Sequence, residues 1–139
     1  MLRKLFGKFK YINMNDYISD LLARLQNGIM RKKEVIQTPI SKSTKNILEV
    51  LKQEEMIADF EEVDGNIEVK PMYDESGAPV VEHFIRISKP GQRIYVSSSE
   101  LIPVMNGRGI NIISTSSGVM TGSMAKSKNL GGELICKVW

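Results

Sequence analysis

The stretch Gly109-Ile-Asn-Ile-Ile-Ser-Thr-Ser-Ser-Gly-Val-Met-Thr121 changes character halfway. Ile110 to Ile113 opens as a short apolar run of the kind a buried strand shows. It then passes directly into four hydroxyls, Ser114, Thr115, Ser116 and Ser117, followed by Gly118. A rigid strand that ends in small donors and acceptors can present them to sugar and base edges, where long side chains would clash. Gly118 would let a partner's backbone or base come close. A solvated turn has the same composition, and from these residues alone both readings stand.

Three neighbouring patterns point the same way. Lys126, Lys128 and Asn129 precede Leu130-Gly131-Gly132-Glu133, two cations and an amide beside a flexible step. That suits phosphate contact, and it suits an ordinary basic turn. Glu133 is out of place against phosphate unless it accepts from a base amine, a 2′-OH or a neighbouring backbone N–H. Arg93 and Tyr95 lie two apart and so share a strand face, with Lys89 across the turn Lys89-Pro90-Gly91. A cation beside a ring is a base-stacking and phosphate pair, or equally a packing tyrosine. Further forward, Lys32, Lys33, Ser41, Lys42 and Lys45 form a candidate phosphate-contacting rim.

Working outward, the periodicity predicts a helix from Asn15 to Asn27 with the stripe Ile18, Leu21, Leu22 and Leu25. Asn15 is its expected cap, Asp16 and Asp20 suit its positive end, and Gly28 is its expected terminator. A strand is expected at Val35 to Thr38, stopped by Pro39, and then a helix from Thr44 to Glu55 capped by Ser43. Strands follow at Ile57 to Val63 and Ile67 to Tyr73 around the hairpin loop Asp64-Gly65-Asn66. Further strands are expected at Val80 to Ser88, Arg93 to Val96, Ile110 to Ser114 and Gly132 to Val138. A short helix is expected from Ser98 to about Met105, and a loop between the last two strands. The pattern predicts an α+β protein, a small α/β N-terminal module packed on a mainly β C-terminal module. The boundaries read as a basic extension at 1–13 and modules at 14–77 and 78–139, with the polar segment Asp74 to Pro79 at the junction.

Charge is distributed unevenly. The 139 residues carry a net +3, yet residues 51–75 hold nine acids against two bases, a net −7, leaving +10 on the remainder. A phosphate backbone is attracted to the basic parts and repelled by the acidic hairpin. Residues 1–13 hold Arg3, Lys4, Lys8 and Lys10 without an acid, and Leu2, Leu5, Phe6 and Phe9 fall at helical spacing. A targeting leader, a membrane-surface helix and a basic arm on RNA compete there, and a retained arm is favoured. One cysteine, Cys136, excludes an internal disulfide and a multi-cysteine zinc site. No metal or cofactor is expected. No apolar run approaches the roughly 20 residues that span a bilayer.

Catalysis finds little support. His83 is the only histidine and falls in an expected strand, while Gly-x-Ser-x-Gly, the Walker loop and His-Glu-x-x-His are all missing. A hydrolytic reading would require a pocket holding His83 and a serine together. A further alternative is an RNA-binding or protein-interaction adaptor without catalysis, the latter working through the acidic hairpin.

Five blocks together resemble a known family. Ile-Ser-Thr-Ser-Ser-Gly-Val-Met-Thr (113–121) and Leu-Gly-Gly-Glu-Leu-Ile-Cys (130–136) are similar to the C-terminal signature of small-subunit ribosomal protein eight. Ser88-Lys-Pro-Gly-Gln-Arg-Ile-Tyr95 resembles its central turn, and Ile18-Ser-Asp-Leu-Leu-Ala-Arg-Leu-Gln-Asn-Gly28 its first helix. Pro39 with Ser41-Lys42 resembles the start of its second helix. The similarity runs over about residues 14 to 139. It implies two tightly joined domains, binding to a helix in the central domain of small-subunit ribosomal RNA, and early assembly among neighbouring small-subunit proteins. Bacterial members can also repress their own messenger RNA. It places the RNA-facing loop on Ser114, Thr115, Ser116 and Gly118, with Gly131, Gly132, Glu133, Arg93 and Tyr95 beside it. The resemblance implies no small-molecule substrate and no membrane. Gln26 departs from the usual Arg or Lys, Ile40 from a common serine, and the extension at 1–13 lies outside the pattern. The ending Cys136-Lys-Val-Trp139 is closer to bacterial and organellar forms, and with the basic extension it tilts the expected location weakly toward a mitochondrial ribosome.

Overall fold

The computed structural model describes residues 17–139. The expected cap Asn15, Asp16 and the basic stretch at 1–13 lie outside the described residues. Helix α1 spans Tyr17–Met30 and buries Leu21, Leu22, Leu25 and Ile29. It runs past the end expected at Asn27, because Gly28 does not terminate it. Gly28 is buried inside the helix, and a Cβ there would meet Ile36 Cδ1 at 2.4 Å. The glycine serves close helix–strand packing. The helix closes instead with Lys32 at φ 54°, where the Lys33 N–H donates to Gly28 O (2.9 Å) and the Lys32 N–H to Ile29 O (3.0 Å).

Strand β1 (Ile36–Pro39) leads to α2 (Lys42–Gln53). The cap of α2 is Ser41 rather than Ser43, and its Oγ accepts from the Thr44 N–H at 3.0 Å. The helix therefore starts two residues earlier than its periodicity suggests, and it ends where Glu55 turns left-handed at φ 57°. Strands β2 (Ile57–Val63) and β3 (Asn66–Pro71) form the expected hairpin, with Asp64 at φ 49° and Gly65 at φ 83° supplying the turn. The first sheet is antiparallel in the order β1-β3-β2.

The second sheet departs further from expectation. Strand β4 is only Phe84–Arg86 and β5 only Tyr95–Val96. Glu82 and His83 spend their N–H groups on Trp139 O instead of a strand partner. The two short strands do not pair with each other. Both lie against β8 (Gly132–Val138), β4 at its far end and β5 at its beginning. The expected helix at 98–105 is two 3-10 turns, Ser98–Glu100 and Met105–Gly107. Pro103 has no N–H to offer and its ring excludes a continuous helix. The segment read as a loop after β6 (Ile110–Thr115) contains a strand, β7 (Gly118–Thr121), and a helix, α3 (Gly122–Ser127). Thr121 caps α3, its Oγ1 accepting from the Met124 N–H at 3.1 Å. The path through the sheet is β4-β8-β6-β7. The architecture is α+β, helical toward the beginning and sheet-rich toward the end.

One apolar cluster runs without a break from α1 and α2 through Val81 to Phe84, Ile112, Cys136 and Val138 of the second sheet. The other face of that sheet buries Ile113, Met120 and Leu134 under Ala125 and Leu101. Successive residues Ile112 and Ile113 thus serve opposite cores, as strand alternation requires. Polar ties reinforce the seam. Gln26 donates from Nε2 to Glu82 O (2.6 Å) and accepts from the Phe84 N–H (3.0 Å), and Arg86 donates to Ser19 Oγ (3.1 Å). Ser19 and Gln26 are seven apart and so share one face of α1. Gln26 fastens the helix to the backbone at the start of β4.

Candidate nucleic-acid interface

Register on β8 aims the polar groups. Ile112 pairs with Cys136 and Ile113 with Leu134, so Ile135 is an extra residue on β8 with no partner on β6. Such a bulge re-aims neighbouring side chains. Here Glu133 and Ile135 both line a cleft of about 230 Å³ against α2. Ser43 and Asn46 of α2, Ile18 of α1, Arg86, Arg93 and Ser114 complete much of its wall. The cleft therefore joins groups from the two ends of the chain.

One oxygen of its carboxylate is held by two protein groups. Glu133 Oε2 accepts from the Ser88 hydroxyl and from Arg93 at 3.0 Å. Ser88 is wholly buried, and its Oγ also accepts from the Ile94 N–H at 3.1 Å. The Arg86 Nε donates to Ser88 O from the other side. Burial pushes the Glu133 carboxyl upward, but the Ser88 hydroxyl, Arg93 and Arg86 outweigh it and hold the group below the usual carboxylate range. The turn Lys89–Gln92 is closed by reciprocal backbone bonds of 3.1 and 3.0 Å, with Gly91 at φ 87°.

The hydroxyl stretch forms the tip of the β6–β7 hairpin. Thr115 spends its Oγ1 within the turn, donating to Gly118 O (2.8 Å) and accepting from the Ser117 N–H (3.1 Å). Ser116 and Ser117 are exposed, and Ser114 is half-buried at the cleft. Gly118 sits at φ 111°, and nothing lies within 4 Å of where its Cβ would be. Gly131 and Gly132 have an internal reason to be glycine. A Cβ would meet Val96 O at 2.6 Å in the first case and Ser114 O at 2.1 Å in the second.

The remaining candidates are spread over several faces. Tyr95 is 69% exposed beside Arg93, and Lys89 is exposed in the turn. Ser41 uses its hydroxyl as the α2 cap, donating to Thr44 Oγ1 at 2.8 Å, with exposed Lys42 next to it. Lys126 reaches Leu101 O at 3.3 Å and lines a separate groove of about 360 Å³, and Lys128 is exposed at the end of α3. Lys33 lines a third hollow, of about 630 Å³, with Arg24, Asn27 and Arg31, and Lys32 is exposed beside it. The sequence reading missed Ser43, Asn46 and Arg86. A cation flanked by Phe84, Ile85 and Ile87 was the one available signal, at Arg86.

The hydrolytic reading required His83 and a serine in one pocket. His83 instead packs on Trp139, ring centroids 5.1 Å apart, and lines none of these three cavities. Cys136 is buried, its thiol pushed up to about 12 by burial with Arg86 opposing, so it is no nucleophile at neutral pH. Among the described residues, no three His, Cys, Asp or Glu side chains are grouped to hold a metal ion, and no helix is long and apolar enough to cross a membrane.

Comparison with known proteins gives a consistent result. The pattern of the family described as Ribosomal protein S8 matches residues 16–139. The small ribosomal subunit protein uS8 of Dehalococcoides mccartyi is 45% identical over 130 residues, 91% of this chain and 99% of that one. That of Lactococcus lactis subsp. lactis is 45% identical over 130 residues, covering 91% and 98%. That of Leuconostoc mesenteroides is 46% identical over 132 residues, covering 92% and 100%. All three are bacterial, which lends no support to the mitochondrial preference drawn from the basic extension and the chain ending.

Proposed function

Because the chain belongs to the Ribosomal protein S8 family, structural proteins of the small ribosomal subunit and not enzymes, we propose that it binds a helix in the central domain of small-subunit ribosomal RNA and thereby supports subunit assembly and translation in a ribosome of bacterial type. The observation that carries this reading is the convergence of Arg86, Arg93 and Ser114 with Ser43 and Asn46 on one cleft. In the proposal, segments 14–77 and 78–139 act as two jaws on the RNA. Lysines and arginines supply affinity by releasing counterions. The hydroxyl hairpin Ser114–Gly118 supplies specificity by fit, with Gly131, Gly132 and Glu133 shaping its flank. The acidic hairpin faces solvent or a neighbouring small-subunit protein.

Ser116 is the cleanest probe, since it is exposed and has no side-chain bond to another described residue. Ser116→Trp should lower affinity for a central-domain fragment of Lactococcus lactis small-subunit ribosomal RNA about tenfold, a change worth about 1.4 kcal/mol. Binding to random-sequence RNA of equal length should hold within about twofold. A gel-shift assay in which both RNAs lose equally removes the specificity claim. Lys126→Ala with Lys128→Ala should flatten the log–log salt dependence by about 2, close to one per phosphate released. An unchanged slope excludes phosphate contact at α3. A non-ribosomal adaptor would not sediment with small subunits, and co-sedimentation separates that alternative.

A further inference from the structure

Glu133 is the single acid lining a cleft that also holds two guanidinium groups, Arg86 and Arg93. Its environment explains why an acid is retained on a surface read as facing phosphate. The partner that matters is Ser88. It has no exposed surface and so cannot reach any ligand, yet its hydroxyl joins Glu133 Oε2 to the Ile94 N–H. The chain Glu133–Ser88–Ile94 straddles the Lys89–Gln92 turn, and the same carboxylate oxygen holds Arg93 at 3.0 Å. We propose that Glu133 is a positioning residue, which acts on RNA through Ser88 and Arg93 by fixing the turn and the guanidinium beside the cleft. The inference rests on the RNA-binding reading above and deepens it.

The charged groups facing Glu133 are Arg93 and, across Ser88, Arg86, while α2 presents the uncharged Ser43, Asn46 and Ile47 to the cleft and β6 presents Ser114. Removing the carboxylate's charge therefore makes the cleft more positive while it loosens the turn. General attraction for phosphate is kept or strengthened, and discrimination is lost. That divergence separates positioning from two simpler roles. A carboxylate that touched a base directly would be insensitive to Ser88. A merely structural network would weaken all RNA binding alike.

The test uses the full chain as wild type, Ser88→Ala, Glu133→Gln and the double variant. Each is measured on the same Lactococcus lactis central-domain fragment and on random-sequence RNA, at a temperature where circular dichroism shows every variant folded. Each single variant is expected to lose about tenfold on the ribosomal fragment and less than about twofold on random RNA. The double variant should lose little more than the larger single one, because the groups act as one unit. Should Ser88→Ala not fold, Glu133→Gln carries the decision by the same pair of measurements. A retained preference in Ser88→Ala or in Glu133→Gln overturns the proposal, as does equal loss on both RNAs. A wild type with no preference for the ribosomal fragment instead overturns the RNA-binding reading, and the inference falls with it.

Discussion

Gly118 and Gly132 flank the same end of β6, and they are glycines for opposite reasons. Gly118 pairs with Thr115 at the hairpin tip, in the left-handed region at φ 111°, with open space where a side chain would be. Gly132 lies outside that region of φ, but Ser114 O stands 2.1 Å from its would-be Cβ. The first glycine is required by the conformation of its own backbone, the second by the backbone of its neighbour. Only the first leaves its surroundings open to a ligand. The contrast also orders the two flanks of the candidate interface. The tip is secured by hydroxyls, through Thr115 Oγ1. The β8 flank is secured by packing and by an ionised group, Glu133.

Substitution should expose the contrast most strongly at Gly132. Gly132→Ala drives a methyl into the backbone carbonyl of Ser114 on the neighbouring strand, with no flexible atom there to move aside. A loss of about 3 kcal/mol is expected in urea unfolding, at the upper end of overpacking costs. A loss under about 1 kcal/mol would mean the two strands can separate freely, and the distinction between the glycines would dissolve. Gly118→Ala should cost less, about 1–2 kcal/mol, from backbone strain alone. Its affinity for ribosomal RNA should fall beyond what unfolding explains if the tip is read by close approach.

Acidification should produce the smallest effect and the most local. The Glu133 carboxyl is held below its usual range in the folded protein, so its contribution is complete above the ordinary carboxylate value and is lost as the pH falls through the lowered folded value. The Ile94 amide, bonded to Ser88, should lose protection in that window, followed by amide NMR. The Ser117 amide, bonded to the hydroxyl of Thr115, should not respond there, since a hydroxyl does not titrate. A parallel response at both amides would show that the flanks are not independently secured.

Local chemistry was legible wherever it was self-contained. Asp64-Gly65 supplies its own positive φ values, and the stripe of Leu21, Leu22 and Leu25 needs only a helix to face one way, so both were read correctly. The cap at Ser41 was misplaced to Ser43 because two serines stand within reach of one helix start, and periodicity does not separate them. The segment 118–127 was read as loop because its small and hydroxylic residues have weak intrinsic preference. Its strand exists through pairing with β6, and its helix packs Ala125 into a core the rest of the chain provides.

The amino-acid order by itself determined the elements with strong periodicity, the α+β class, the split of charge between an acidic hairpin and a basic remainder, and the family blocks around Ser114–Gly118 and Gly131–Glu133. Only the tertiary structure decided that Gly28, Gly131 and Gly132 answer to neighbouring atoms, that Glu133 is spent on Ser88 and Arg93, and that Arg86, Ser43 and Asn46 share its cleft. The physical reason is range. Backbone preference, capping and hydrophobic period act over a few residues and are written locally. Close approach and charge pairing depend on which distant strands meet, and that is set by burying one continuous core.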